Sequence, residues 1–412
     1  MTMTAELLST IAVGCVVNLT CALVGVYLVL RRQSLLGDAI SHSVLPGLVL
    51  AFLLTGARGG WPVLLGALVM GILTAVLAQG LQRIGGSNED ASLGVVFTAL
   101  FAVGVILINR YARQVDLDPG CVLYGLIEFT PLDTIPLAGW AVPRTLLTLV
   151  PMFVITVAFI AVFWKELQIS SFDPALATAL GLRAGGVGYL LLALVAAVTV
   201  VAFEAVGSIL VVAMLIVPAA TAQLLADRLG RVLAWAALVA LASAILGTLW
   251  ATWLNTSVAG MMAVVAGLLF ATAVVLAPQH GLLSRLGRNL ALRVRITAED
   301  VLTTLYRAEE AQRPPAAWPA RSALARWWLT RRGWIAAGQL TDAGRRRAVA
   351  LVRAHRLWET YLAEHFDLPA DHLHEPAEFM EHYLDEPLRS ALDSGKFTLD
   401  PHGKPIPPKE EI

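Results

Sequence analysis

Long apolar stretches separated by short polar breaks fill the first two thirds of the chain, and beyond residue 281 the pattern changes. Runs of about 20 apolar residues can cross the hydrocarbon core of a bilayer as a helix. They fall near 7–30, 35–55, 61–82, 91–109, 144–164, 187–203, 205–225, 231–253 and 259–277. The sixth and seventh run together, so nine spans is the reading, and eight follow if one is re-entrant. The first run is too long for a signal-peptide core, lacks a basic leader and ends at Arg31-Arg32 without a clear cleavage site, which predicts a retained helix. From Leu282 onward the apolar residues recur with the period of amphipathic soluble helices. The Pro/Ala stretch Arg313–Pro319 predicts a loop. The tail Asp400–Pro408 cannot be a regular element, because proline fixes φ and removes a donor. The expected fold is all-α: a polytopic membrane helical bundle over 1–281 with about nine transmembrane helices, then a mostly helical domain in water.

Composition agrees with two solvents. Of 412 residues 57% are hydrophobic and 15% charged, with a mean hydropathy of +0.71, whereas a soluble domain carries about 25% charged residues. Charges are sparse from Leu7 to Pro278 and dense from Arg285 to Ile412, so the net charge of zero averages two unlike parts. Cys15, Cys21 and Cys121 are too scattered for a disulfide framework or a CxxC metal site and read as packing residues. Basic residues set the orientation. With the C-terminal domain inside, Arg31, Arg32, Arg83, Lys165, Arg183, Arg228, Arg231, Arg285, Arg288, Arg293 and Arg295 are cytosolic, against Arg58, Arg110, Arg113 and Arg144 outside. That asymmetry follows the positive-inside rule and puts the N-terminus outside. The longest outer connection, 109–143, carries Asp116, Asp118, Glu128 and Asp133, as a docking surface or as a plain solvated loop.

The second span holds the sequence Ser34–Gly47, in which Asp38 and His42 are four apart and share a helical face. Ser34, Ser41 and Ser43 add hydroxyls, and Pro46 can bend the helix or free a carbonyl. Ionisable groups within a span are costly and tend to line a pathway. An oxygen donor beside an imidazole suits manganese, zinc or ferrous iron. Spacing alone leaves a second reading open, with Asp38 capping the helix and His42 packing between helices. Glu204 is the other acid of the apolar region, either at an outer mouth or at a helix junction.

The stretch Gly37-Asp38-Ala39-Ile40-Ser41-His42-Ser43-Val44-Leu45-Pro46-Gly47 resembles the signature of the zinc/manganese/iron ABC permease family. Phe172–Leu182 resembles that family's cytoplasmic coupling segment, and Ala205–Ala222 its characteristic late helix; the likeness covers roughly 5–280. It implies a permease in a bacterial plasma membrane. Two copies would form the path for a divalent ion (manganese, zinc or iron). An ATPase subunit would dock at Phe172, Asp173, Pro174, Leu180 and Gly181, and an extracytoplasmic metal-binding protein would deliver the ion. Asp38 and His42 would hold it midway. The residues independently exclude an ATP site in this chain: of four lysines, at 165, 396, 404 and 409, none completes GxxxxGK[ST].

Seven of the eight histidines lie beyond the last span. Glu378 and Glu381 are three apart and Glu378 and His382 four apart, so all three can share a helical face. His355 on the preceding helix can complete a mixed carboxylate–imidazole set; a solvated charged face is the plainer reading. Leu340–Arg345, Arg353–Glu359, Ala377–His382 and Asp400–Pro407 resemble the iron- and manganese-dependent repressor family, of the diphtheria toxin repressor type. The resemblance implies a degenerate winged-helix-like segment at 290–349 and a metal-binding and dimerisation-like domain at 350–412. Its ligands would fall on His355, Glu378, Glu381 and His382, with Asp300 at a first-helix ligand position. Thr303 stands where manganese-type members have an acid, and Glu310–Leu340 is short for a full helix-turn-helix. Arg321, Arg326, Arg331 and Arg332 therefore read as contacts to membrane lipid, and DNA binding is not expected. The expected role is metal sensing or dimerisation. The rival reading, a membrane-tethered metal-responsive DNA-binding regulator, predicts duplex binding with a steep salt dependence.

Overall fold

The computed structural model describes residues 3–56, 61–86, 88–111, 127–137, 140–182, 184–314, 323–366, 369, 372–380, 382–383, 386–392 and 397–408. The chain forms two compact units, Met1–Ser284 and Arg285–Ile412.

In the first unit each predicted apolar run becomes helix. The helices are α1 (Met3–Leu30), α2 (Leu36–Ser43), α3 (Leu45–Thr55), α4 (Trp61–Gly85), α5 (Glu89–Tyr111), α6 (Leu146–Val162), α7 (Trp164–Phe172), α8 (Pro174–Ala179), α9 (Ala184–Val206), α10 (Ser208–Leu225), α11 (Leu229–Leu254) and α12 (Val258–Leu276). Among the described residues seven spans are long and apolar enough to cross a membrane, with α2 and α3 together making one of them. The bent pair α6–α7 makes an eighth, and the shorter apolar stretch Leu210–Leu225 of α10 corresponds to the seventh predicted run.

Two of these helices depart from the straight spans expected. The fifth run turns by 75° between α6 and α7, where Lys165 and Glu166 follow the apolar stretch and would be costly in hydrocarbon. The sixth and seventh runs are divided at Gly207, whose φ of 80° is open to glycine and strained for other residues.

α1 packs against α6, α9, α10 and α11, and α2 against α4, α5, α9 and α10. Lipid is as apolar as leucine, so close backbone approach rather than water exclusion drives such packing. At Gly25 a Cβ would lie 1.8 Å from the Leu215 carbonyl oxygen. Asn18, buried in α1, donates to the Ala240 carbonyl and to Ser243 Oγ of α11, both at 2.8 Å. Gly25→Ala must push α1 and α10 apart, at an overpacking cost of about 1–3 kcal/mol. A lowered thermal midpoint of the detergent-solubilised protein is the expected result, and an unchanged midpoint would contradict the contact.

Between α5 and α6 the chain forms a short hairpin, β1 (Thr134–Leu137) with β2 (Trp140–Pro143). Just before it, Glu128 accepts a hydrogen bond from the Val258 backbone N–H at 2.7 Å. That acid of the outer connection thus satisfies an orphan donor at the start of α12. Asp116 and Asp118 lie outside the described residues.

The second unit holds α13 (Leu282–Glu310, which begins just before the boundary), α14 (Ala323–Arg331), α15 (Asp342–His365), α16 (His374–Met380) and α17 (Glu386–Leu392). A small core gathers Ala298, Val301, Leu302 and Leu305 of α13 with Ala325 and Leu329 of α14, Ile335, and Ala348 of α15. Strands β3 (Ile335–Ala336) and β4 (Gln339–Leu340) pair through Ala337 and Gly338, both at positive φ, as a tight two-residue hairpin requires. Thr341 Oγ1 then caps α15 by accepting from Gly344 N–H at 3.2 Å. The stretch Leu340–Arg345 thus runs from the end of β4 into the first turn of α15. The tail 397–408 is irregular, as its prolines predict, and is pinned by Arg356, which donates to the Pro405 carbonyl at 2.5 Å and grips the Glu310 carboxylate at 3.0 and 2.6 Å.

Candidate metal sites

Asp38 and His42 share one face of α2, with His42 Nε2 3.5 Å from Asp38 Oδ1. Their side chains are 44% and 38% exposed within the protomer, although most of α2 is buried. The His42 ring lies beside Phe97 and Phe101 of α5, with centroids 6.1 Å away in each case. The neighbouring hydroxyls have other work. Ser41 Oγ donates to the Gly37 carbonyl at 2.9 Å, Ser43 Oγ to that of Ile40 at 3.2 Å, and Thr74 Oγ1 to Ser43 Oγ at 2.6 Å. α2 ends at Ser43 with Val44 as its C-cap, and Pro46 lies in the first turn of α3. Proline has no N–H, so the His42 carbonyl lacks the donor a continuous helix would bring four residues on. The result is an imidazole and a carboxylate on a short helix inside the bundle, both reachable from one side.

The segment Phe172–Leu182 is a capped turn of helix. Asp173 Oδ1 accepts from Leu176 N–H at 2.9 Å and Pro174 takes the first helical position, where no N–H is needed. At the other end Gly181 adopts φ 74°, and Leu182 N–H returns to the Ala177 carbonyl at 3.1 Å. Phe172 at the end of α7, Leu176 within α8 and Leu180 at its C-cap are exposed apolar residues on this segment.

In the second unit three of the residues singled out by sequence, His355, His382 and Asp300, fall into two separate sets of contacts, so His355 does not join Glu378 and His382 as the resemblance implied. His355 of α15 lies one turn before Glu359, and His374 opens α16. His355 Nε2, Glu359 Oε1 and His374 Nδ1 are each 3.0 Å from the other two. His355 and Glu359 are 3% and 2% exposed and His374 is 53% exposed. His402 Nε2 approaches the same carboxylate oxygen at 3.9 Å. Burial would raise Glu359, but hydrogen bonds from His355 and His374 and their charge outweigh it and hold the carboxyl down at about 2. Two imidazole nitrogens and one carboxylate oxygen on a common point, two of the three side chains out of water, fit a zinc, iron or manganese ion.

The other set centres on His382. Its Nδ1 is 2.9 Å from Glu299 Oε2 and its Nε2 3.0 Å from Asp300 Oδ1. Burial would raise Glu299, but hydrogen bonds from His382 and Arg347 and the charges of Arg347 and Arg295 bring it to about 2. Asp300 and His382 thus meet away from His355, with Glu299 as a third member engaged by arginines. Glu378 is exposed on α16, and Glu381 lies outside the described residues. Glu204 falls in the last turn of α9. Glu359 and His374 stand beyond the set read from sequence. The i,i+4 spacing of His355 and Glu359 on one helix is the signal for the first, while His374 lies 19 residues from His355 across a turn of chain that periodicity does not reach.

A bundle of apolar helices with an Asp–His pair, followed by a second unit with clustered imidazoles and carboxylates, has the make-up of a multi-pass membrane protein carrying an appended domain. Residues 3–277 match the model of the ABC 3 transport family, and residues 341–408 match the iron dependent repressor, metal binding and dimerisation domain. The chain is 43% identical over 284 residues to the manganese transport system membrane protein MntD of Bacillus subtilis, covering 69% of this chain and 96% of that one. It is 40% identical to the zinc transport system membrane protein TroD of Treponema pallidum, covering 71% of this chain and 79% of the relative. The solved structure of PsaBC from Streptococcus pneumoniae in complex with Fab shares 30% identity over 67% of this chain and 93% of the other, with a TM-score of 0.57. The chain belongs to the ABC 3 transport family: it is a multi-pass membrane permease subunit of the class that handles divalent transition metals, with a repressor-like C-terminal domain.

Proposed function

We propose that this permease imports manganese or zinc, with iron as a third candidate, and that the C-terminal domain reads the same metal on the cytoplasmic side of the plasma membrane. The observation that carries the reading is the Asp38–His42 pair, an oxygen and a nitrogen donor 3.5 Å apart on one open face of α2. The relatives' manganese and zinc substrates support the same donor chemistry.

Two donors from one protomer leave an ion under-coordinated, and the pair's exposure within the protomer suits completion by a second permease copy. Phe172, Leu176 and Leu180 on the capped α8 segment supply an apolar docking strip for a separate ATPase subunit, with Asp173, Pro174 and Gly181 setting its shape. The residue pattern supports delivery by an extracytoplasmic metal-binding protein from the side opposite that strip. In the C-terminal domain the triad His355, Glu359 and His374 supports a regulatory metal site, and Asp300 with His382 supports a second set of donors. The arginines at the end of α14 and just beyond it favour lipid over DNA. Arg331 and Arg332 stack on Trp327 and Trp328 at 5.2 and 4.5 Å, and Leu324 and Trp327 are exposed beside them, a mixture suited to a membrane surface.

Uptake by the complete complex in sealed vesicles, with manganese, zinc and iron in competition, tests the reading. ATP-dependent accumulation of one of the three, displaced by the others in a fixed order, is the expected result. Absence of ATP-dependent uptake for all three would overturn it.

A further inference from the structure

Arg31 follows the last residue of α1, and its charge is handled unlike that of other arginines drawn in from solvent. Arg356 is paired with Glu310, and Arg347 with Glu299. Among the described residues the Arg31 side chain donates only to neutral hydroxyls, from Nε to Ser171 Oγ at 3.2 Å and from Nη2 to Ser170 Oγ at 2.9 Å. Its Nη1 passes over Gly188 of α9, where a Cβ would stand 3.4 Å away. Among the described residues no carboxylate lies within ion-pair distance of it. A partly buried guanidinium without a counter-charge is costly.

That guanidinium opens onto a cavity of about 380 Å³. The polar side chains lining it are those of Arg31, Arg32, Gln33, Ser170, Ser171 and Thr178, two cations with hydroxyls and an amide and, among the described residues, no acid. Ser170 and Ser171 accept from Arg31, which leaves each O–H as a donor toward the cavity. A guanidinium fork flanked by hydroxyl donors matches the oxygens of a phosphate group. The first membrane span ends at Leu30, beside the cavity wall, which is the level at which lipid phosphates lie.

We propose that this cavity binds a phosphate group, presented either by an anionic lipid headgroup or as the free anion. The bound phosphate neutralises Arg31 and joins the end of α1 to the end of α7. The inference rests on the membrane-spanning fold and is independent of which metal is carried.

The test uses the full-length protein in nanodiscs, reading the thermal midpoint at constant ionic strength. One arm compares discs of phosphatidylcholine alone with discs of phosphatidylcholine and phosphatidylglycerol at 3:1. The other titrates inorganic phosphate, against chloride, into the phosphatidylcholine discs. A rise with phosphatidylglycerol alone identifies the headgroup, and a rise with phosphate identifies the free anion. Either response should weaken about tenfold in apparent affinity in Arg31→Gln, the loss of one charged hydrogen-bonding partner. Should that chain fail to fold, Arg32→Gln, an exposed position, decides in its place. The proposal is overturned if neither probe shifts the parent protein, or if the deciding variant responds as fully as the parent.

Discussion

Replacing Asp38 or His42 by alanine should reduce metal uptake in vesicles to about 1% of the parent or less, while the permease still assembles with its ATPase. Losing a group that merely orients a ligand costs 10–100-fold in metal affinity or activity, and these two side chains are the proposed ligands themselves. Their contacts point to chemistry more than to packing. Both are over a third exposed, they approach each other at 3.5 Å, and the surrounding serines bond to backbone or to Thr74. The competing view makes Asp38 a charge in the first turn of α2, where the helix dipole gives it about 0.3–1 kcal/mol. On that view Asp38→Ala trims stability slightly and leaves transport intact. Uptake rates in reconstituted vesicles, beside a pull-down of the ATPase subunit, separate the two. Normal uptake by both variants would sink the ligand assignment.

The membrane fold was legible because bilayer thickness imposes a length on apolar runs, and every run became helix at nearly the expected limits. What periodicity could not reveal was the turn between α6 and α7. A span of the right length says nothing of the angle at which the next polar residue leaves it. Pro46 hinted at the break within the second span, since a missing N–H is a local fact. Glu128 was beyond reach, because its partner, the Val258 N–H, is 130 residues away. The sites divide in the same way. Asp38 with His42, and His355 with Glu359, are i,i+4 pairs and follow from helix geometry alone. The meeting of α16's His374 with His355, and of α13's Asp300 with His382, depends on how helices pack, so only the family resemblance pointed to the second of these.

His355→Ala or Glu359→Gln should abolish metal binding at the C-terminal triad and relieve inhibition of transport by metal on that domain's side, without abolishing uptake. Each removes one of three donors that converge at 3.0 Å, and the expected loss is on the order of 100-fold in affinity. Because Glu359 is held at about 2, it remains a carboxylate at any ordinary pH. A protonated imidazole has no lone pair for a metal, so affinity should fall as the pH is lowered. The sign is fixed: protons compete with the ion, and acidification releases the inhibition just as the substitutions do. Uptake against rising metal on the domain's side gives the readout, with pH varied in parallel. Inhibition curves identical for parent and variants would mean that the domain holds the complex together without sensing metal at this triad. A curve shifted to higher metal by either substitution, and by acid in the parent, makes the triad the point at which imported ion feeds back on its own transport.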